Sequence, residues 1–334
     1  MSVIQNVYLA KNKNHSIWKS SSSGGVFLEV AKYIISKQGV VYGVAYNHEN
    51  NVIHERANTI EECKKFKGSK YVQSDLGDTF KQCRDDLRND RYVLFTGTPC
   101  QIAGLKMFLR SEDTSKLYTQ DIVCHGVPSP KFYSKYLDFM EKDLNIKIKN
   151  INFRSKVLPN EIQDISIIGE GGKIYKSYGT HDIYYKFFLK NMILRPICYK
   201  CKFTSIDRES DITLADYWGK REVLSRKFKD ELGISSIFIN SEKGEEIWNE
   251  IKENFKYEES TIDICMQPNL KEPSKVSIDV EKMWDDFNNN EFDEFIEMYI
   301  GSYKKMKNQR ILKIFFAQSG ILPIYQKLKR RMNK

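Results

Sequence analysis

Cys198-Tyr199-Lys200-Cys201 sets two thiols three residues apart, a spacing at which one loop offers both sulfurs to one metal centre. That pair is half a site, because structural zinc and a 4Fe-4S cluster each take about four protein ligands. Cys100 and Cys124 are candidates for the other half. They follow two short apolar runs, residues 92–95 (YVLF) and 117–123, separated by a helix-like segment over residues 101–109. Strand, helix, strand reads as a βαβ unit with parallel strands. Sequential parallel strands are usually neighbours, so both thiols are expected on the sheet edge where open α/β sheets bind ligands. The plainer alternative is a redox or incidental CxxC plus two buried cysteines, and composition leaves both open. Cys63, Cys83 and Cys265 stand in ordinary helix or strand contexts.

Other groups offer weaker signals. Ser21, Ser22, Ser23, Gly24 and Gly25 precede a segment of helical periodicity, where free N–H groups and the helix dipole favour an anion. A simple cap and turn reads equally well. Ser69, Lys70, Tyr71 and Gln73 form a second polar loop, with a surface loop as the alternative. His125 directly follows Cys124 and is a candidate proton donor. Asp211 and Asp216 are candidates to orient a cofactor or a basic loop. Arg154, Lys156 and Arg195 are candidates for phosphate or carboxylate, or surface ion pairs. No GxGxxG or Walker pattern is present, so a dinucleotide would be held in another way.

The elements that must position these residues read as an α/β chain with α+β features. It has a mixed sheet with a βαβ core, flanking helices and a helical C-terminal extension. Helices are expected at residues 26–37, 59–65, 78–88, 130–144, 182–192 and 244–255. Strands are expected at 40–46, 52–54, 149–154, 163–178 (with a turn at Gly171 and Gly172), 211–217 and 235–239. The expected division is a catalytic domain over 1–260 and a helical extension over 261–334, with a helical subdomain at 279–300.

These motifs together resemble the beta-subunit family of coenzyme F420 hydrogenases and dehydrogenases, which also includes 7-hydroxymethyl chlorophyll a reductase. The resemblance rests on SSSGGVF (21–27), GSKYVQSD (68–75), LFTGTPCQIAGLK (94–106), DIVCHGVPSP (121–130), FRSK (153–156), RPICYKCKF (195–203) and DITLADYWG (211–219), in order. It implies an iron-sulfur flavoprotein oxidoreductase holding FAD beside one 4Fe-4S cluster. The matching cluster ligands are Cys100, Cys124, Cys198 and Cys201. The matching FAD segments are Ser21–Gly25, Ser69–Gln73 and the turn of Thr96, Gly97 and Thr98, with Arg154 added as a phosphate contact. His125 and Lys70 are the candidate catalytic proton donors. Many relatives begin with a two-cluster ferredoxin module, but this chain has no Cys before Cys63. An external ferredoxin-like donor or partner subunit is then expected, serving a small organic substrate. The rival functions are a non-catalytic electron-transfer subunit and a four-Cys zinc protein of sugar or polysaccharide metabolism.

Charge narrows the partners. The 334 residues carry 53 Lys/Arg and 44 Asp/Glu, for a formal charge of +9. Residues 302–334 hold ten Lys/Arg and no acid, so residues 1–301 are close to neutral at −1. A uniformly cationic nucleic-acid binder is excluded. The basic tail reads first as a packed terminal helix pair broken at Pro323. The other readings are a peripheral membrane anchor or a dock for an acidic ferredoxin. No apolar run reaches the roughly 18 residues of a membrane span, and residues 1–16 lack a signal-peptide core. A cytoplasmic protein, with homo-oligomerisation open, is the expectation.

Overall fold

The computed structural model describes residues 6–158, 163–219, 224–225, 228 and 233–319. Tail residues 320–334, with the expected break at Pro323, lie outside the described residues. The chain divides into two compact units. The first joins residues 1–127 to 195–274, and the second joins 128–194 to 275–334. This division runs differently from the expected 1–260 and 261–334.

In the first unit the chain runs β1 (Asn6–Asn12), α1 (His15–Lys19), α2 (Phe27–Ser36), β2 (Val40–Tyr46), β3 (Val52–Ala57), α3 (Ile60–Cys63), α4 (Thr79–Arg88), β4 (Val93–Thr96), α5 (Pro99–Phe108) and β5 (Leu117–Ile122). In the second unit come α6 (Pro130–Leu144), β6 (Ile148–Asn152), β7 (Asp164–Gly169), β8 (Ile174–Tyr178) and α7 (Ile183–Leu189). The chain returns to the first unit for β9 (Ile212–Asp216), β10 (Ser235–Ile239), α8 (Glu242–Ile251), β11 (Phe255–Ser260) and α9 (Ile262–Cys265). It ends in the second unit with α10 (Val280–Asn289), α11 (Phe292–Ile300) and α12 (Tyr303–Gln318).

The first unit is built on an eight-stranded mixed sheet in the order β11-β1-β10-β9-β5-β4-β2-β3. Its centre, β9-β5-β4-β2, is parallel. The βαβ unit read from residues 92–123 is therefore present, with β4 and β5 as neighbours. Side chains alternate across the pleat and bury both faces. Val41, Ala45, Leu94 and Tyr118 pack with Val30, Ile34, Ile247 and Trp248 of α2 and α8. Val40, Tyr42, Val93, Phe95 and Leu117 pack with Cys83, Leu87, Ile102 and Leu105 of α4 and α5.

The second unit pairs an antiparallel meander, β6-β7-β8, with five helices. Its rings pack closely: Phe132 lies 4.9 Å from Phe187, and Phe187 lies 5.2 Å from Phe295. Helix α6 shows local coding at both ends. The Ser129 hydroxyl caps it, Pro130 fits the first turn, and Asn145 takes a left-handed φ of 50° beyond its end.

Two strands were not expected: Phe255, expected to end a helix, instead opens β11, and β1 was not expected at all. Both depend on pairing over long sequence separation, since Val7 is matched with Ser260 and Asn12 with Phe255.

Candidate cofactor site

The carboxyl ends of β4 and β5 carry the first two cysteines. After β4 the chain turns through Gly97 and Thr98 into α5. Thr98 and Gln101 form a capping box there, and Pro99 supplies the preset φ of a first helical turn. Cys100 is thereby held in the first turn of α5, with Thr98 Oγ1 3.2 Å from its sulfur. Cys124 follows β5 by two residues. Cys198 lies within the short 3-10 turn Pro196–Lys200, and Cys201 directly follows it.

Cys124 lies within electrostatic reach of the other three thiols, and Cys198 within reach of Cys100 and Cys201. Burial pushes the Cys124 thiol up to about 12, opposed by the Gly126 N–H, while Cys100, Cys198 and Cys201 push it further. Burial also raises Cys198, with the Val127 N–H opposing and Cys100 and Cys201 adding. Among the described residues, no three His, Cys, Asp or Glu side chains converge at the distances of a single metal ion. Cys63, Cys83 and Cys265 are buried in α3, α4 and α9, as their contexts indicated.

A residue that the sequence did not single out ties the cysteine segments together. Arg208 is 1% exposed at its side chain and pairs at 2.8 Å with Asp121, which is 0% exposed. Each of its five N–H donors finds an acceptor. Nη2 reaches Asp121 and the Ile122 carbonyl, Nη1 the Phe203 and Ser205 carbonyls, and Nε the Thr213 hydroxyl. Thr213 closes the ring by donating to Asp121 at 2.5 Å. The loop after Cys201 is thus fastened to the end of β5 three residues before Cys124. A lone Arg in RES carries no local pattern that announces this.

The segments expected to hold FAD lie partly together. The Ser22 hydroxyl accepts from the Ser69 N–H at 2.7 Å and meets the Ser69 hydroxyl at 2.9 Å. Gln101 Nε2 donates to the Ser74 hydroxyl at 3.0 Å, linking the loop after Gln73 to the Thr98 turn. Ser21 and Ser23 donate to the carbonyls of Ile17 and Ile234. Gly24 is required by packing, because a Cβ there would stand 2.2 Å from the Ala10 carbonyl oxygen. Gly25 is required by its φ of +84°. Gly97, Tyr71 and Gln73 are half-buried at this edge.

Lys70 turns its ammonium onto the carbonyls of Lys65, Lys67 and Gly68, at 3.0, 2.9 and 3.3 Å. Burial brings it down to about 7. The backbone carbonyl of His125 accepts from the Ser274 hydroxyl at 2.6 Å. His54, absent from the sequence reading, stacks on Phe95 and donates from Nε2 to the Thr96 carbonyl at 3.1 Å. Burial holds its imidazole at about 4, so it is neutral and braces the Thr96–Thr98 turn.

Arg154 and Lys156 belong to the second unit. There the Asp164 carboxylate collects the Ser155 hydroxyl and the N–H groups of Lys156, Val157 and Leu158. Asp211 is engaged within the fold. Its carboxylate accepts from the Thr119 N–H and hydroxyl and from the Ser241 hydroxyl, at 2.6–2.7 Å. It borders an open depression of about 640 Å³ at the amino ends of β5 and β9, away from the cysteines. Two of the cations there are engaged by protein: Lys243 donates to the Thr114 and Leu117 carbonyls, and Lys106 to that of Glu209.

Comparison with known proteins agrees with this fold. No curated protein matches the chain. A chain of the F420-reducing NiFe hydrogenase complex from Methanosarcina barkeri has a similar structure, with a TM-score of 0.52, 15% identity and 93% of each chain covered. That likeness speaks to the fold. A family model describing the C terminus of the coenzyme F420 hydrogenase/dehydrogenase beta subunit matches residues 90–264, more than half of the chain. The match spans all four clustered cysteines and Arg208. The chain belongs to this coenzyme F420 hydrogenase/dehydrogenase beta-subunit family, and so to a group of redox and electron-transfer proteins.

Proposed function

We propose that the protein is an iron-sulfur flavoprotein reductase. It would take electrons from an external ferredoxin-like donor or partner subunit and pass them to a small organic substrate. The observation that carries this reading is that Cys124 lies within electrostatic reach of Cys100, Cys198 and Cys201, with Cys100 and Cys124 at the carboxyl ends of neighbouring parallel strands. Burial and the neighbouring thiols raise the proton affinity of Cys124 and Cys198, and thiols so placed ionise together only around a strongly cationic group.

A 4Fe-4S cluster held by these four thiolates beside FAD would link one-electron transfer to two-electron chemistry on a substrate. The chain's own residues supply the rest. Thr98 Oγ1, 3.2 Å from Cys100 Sγ, sets polarity at that sulfur. Arg208 keeps the Cys198–Cys201 loop in register with Cys124. The Ser22–Ser69 contact, the Gly24–Gly25 turn and the Thr96–Thr98 turn form the polar edge assigned to FAD, with Ser21, Ser23, Tyr71 and Gln73 alongside. Lys70 is one proton donor, since an ammonium near 7 releases and regains a proton readily at neutral pH. His125, beside Cys124, is the other.

The test is anaerobic purification with iron, zinc and flavin analysis. Iron, FAD and a broad band near about 400 nm are expected, and Cys198→Ser should abolish the band. Wild-type protein with neither iron nor flavin overturns the reading. One zinc per chain establishes the four-Cys zinc alternative. Both cofactors with no turnover on any donor and acceptor pair would make the chain a non-catalytic electron-transfer subunit.

A further inference from the structure

Helix α12 turns three of its cations onto its own unit and leaves three large apolar side chains outward. Lys307 contacts Asp143 at 2.9 and 3.0 Å, and Arg310 donates to the Lys176 carbonyl at 2.7 Å with its guanidinium 4.4 Å from the Tyr175 ring. Lys313 sits 3.9 Å over the Tyr178 ring. Met306 is the helix's one buried apolar anchor among the described residues. Its outward face carries the large apolar groups: Ile311 is 52% exposed, Leu312 49% and Phe315 62%. Ile311 and Phe315 are one turn apart with Leu312 beside them, so the three form one ridge. Lys304 and Lys305 are exposed about two turns earlier, and both lie toward the same side.

We infer that this ridge is a docking surface for an anionic lipid bilayer. A contiguous apolar ridge left in water marks an interaction site. The charge around it selects the partner. Residues 302–334 hold ten Lys/Arg and no acid, while residues 1–301 carry a net −1. In sequence, the excess of cations behind the chain's +9 therefore falls in the segment that carries the apolar ridge. Residues 319–334 continue the same composition, with Ile321, Leu322, Ile324 and Tyr325 among Lys327, Lys329, Arg330, Arg331 and Lys334. Apolar groups entering the acyl boundary and lysines meeting lipid phosphates are the two terms of interfacial binding. No helix among the described residues is long and apolar enough to cross a membrane, so the contact is peripheral.

The test uses the full chain and vesicles of phosphatidylcholine with and without phosphatidylglycerol. Binding to the phosphatidylglycerol vesicles is expected, weakening as salt screens the charges. The triple variant Ile311→Glu, Leu312→Glu, Phe315→Glu should lose on the order of tenfold or more in partitioning. Because those side chains point outward, its melting temperature should stay at the wild-type value. If it does not, Lys304→Glu with Lys305→Glu tests the same surface through two exposed lysines, and lost preference for anionic vesicles is expected. Failure of the wild type to bind phosphatidylglycerol vesicles at low salt overturns the inference. So does unchanged binding by either variant. A wild-type dimer that the triple variant converts to monomer would also overturn it, by assigning the ridge to a second copy.

Discussion

The two units solve the problem of burying polar groups in opposite ways. The first unit contains all seven cysteines and pairs two of its buried carboxylates, Asp86 and Asp121, with arginine, while a third, Asp211, is held by hydroxyls and an N–H. Asp121 is held by Arg208, and Asp86 by both Arg56 at 2.8 and 2.9 Å and the Tyr42 hydroxyl at 2.6 Å. The second unit contains no cysteine and buries Asp182 without a cation. Its carboxylate accepts from the Tyr136 hydroxyl at 2.9 Å and the Tyr185 N–H at 3.1 Å, inside a wall of aromatic rings. Planar, multidentate arginine pairing fixes angles as well as distances. Four thiols converging from three chain segments need that directional control. A unit packed by rings tolerates looser angles and gains its cohesion from area.

The sharpest way to break the contrast is Arg208→Met. It leaves the Asp121 carboxylate buried and unpaired and frees the Ile122, Phe203 and Ser205 carbonyls. Breaking a buried pair from one side costs roughly 3–5 kcal/mol. Hydrogen exchange should accelerate in peptides from residues 117–127 and 195–216, and iron content should fall. Peptides from 128–194 should keep wild-type protection. A loss below about 1 kcal/mol, or equal loosening of both units, would refute the idea that arginine pairing orders the cysteine edge.

The next effect is a pH response of opposite sign in the two units. His54 in the first unit is held down at about 4 by burial, against an ordinary 6.5. Its contribution to stability is complete above pH 6.5 and is lost as pH falls toward 4. Asp182 in the second unit is pushed up to about 6 by burial, against an ordinary 3.8. Its contribution is complete below pH 3.8 and is lost as pH rises through 6. Each shift corresponds to about 3 kcal/mol at 1.36 kcal/mol per unit. The stability advantage of wild type over His54→Gln should shrink as pH falls from 6.5 to 4. Asp182→Asn should gain on wild type as pH rises from 4 to 6. Denaturant melts across that range decide it, and parallel trends for the two variants would contradict the assigned environments.

How far the sequence reveals this molecule depends on how local the determining physics is. Helix α6 matches its expected bounds because Ser129, Pro130 and Asn145 act within a few residues. The run from 92 to 123 gives β4, α5 and β5 because short apolar runs and the Thr98 cap are local too. Strand β11, FKYEES, is polar and half-exposed, and it becomes a strand through its pairing with β1 some 240 residues away. The second unit interrupts the first at residues 128–194 without a linker of distinctive composition, so no local signal marks it. The four cysteines were legible because CxxC and strand-end positions are chemical patterns. Arg208 and His54 were not, because a lone cation or imidazole acquires its role only when distant carbonyls close around it.

The smallest expected effect concerns the ion pair that looks most like the Arg208 pair on paper. Lys307 and Asp143 in the second unit lie 2.9 Å apart, but their side chains are 37% and 19% exposed. Water solvates both partners once separated, so Lys307→Met should cost less than about 1 kcal/mol. The methylene stem that packs along the unit is preserved in the variant. Raising salt should erase most of the difference from wild type, whereas the Arg208→Met deficit should persist because a fully buried pair is poorly screened. If Lys307→Met instead matched Arg208→Met in size, charge pairing would order both units alike. The contrast would then rest on the cysteines alone.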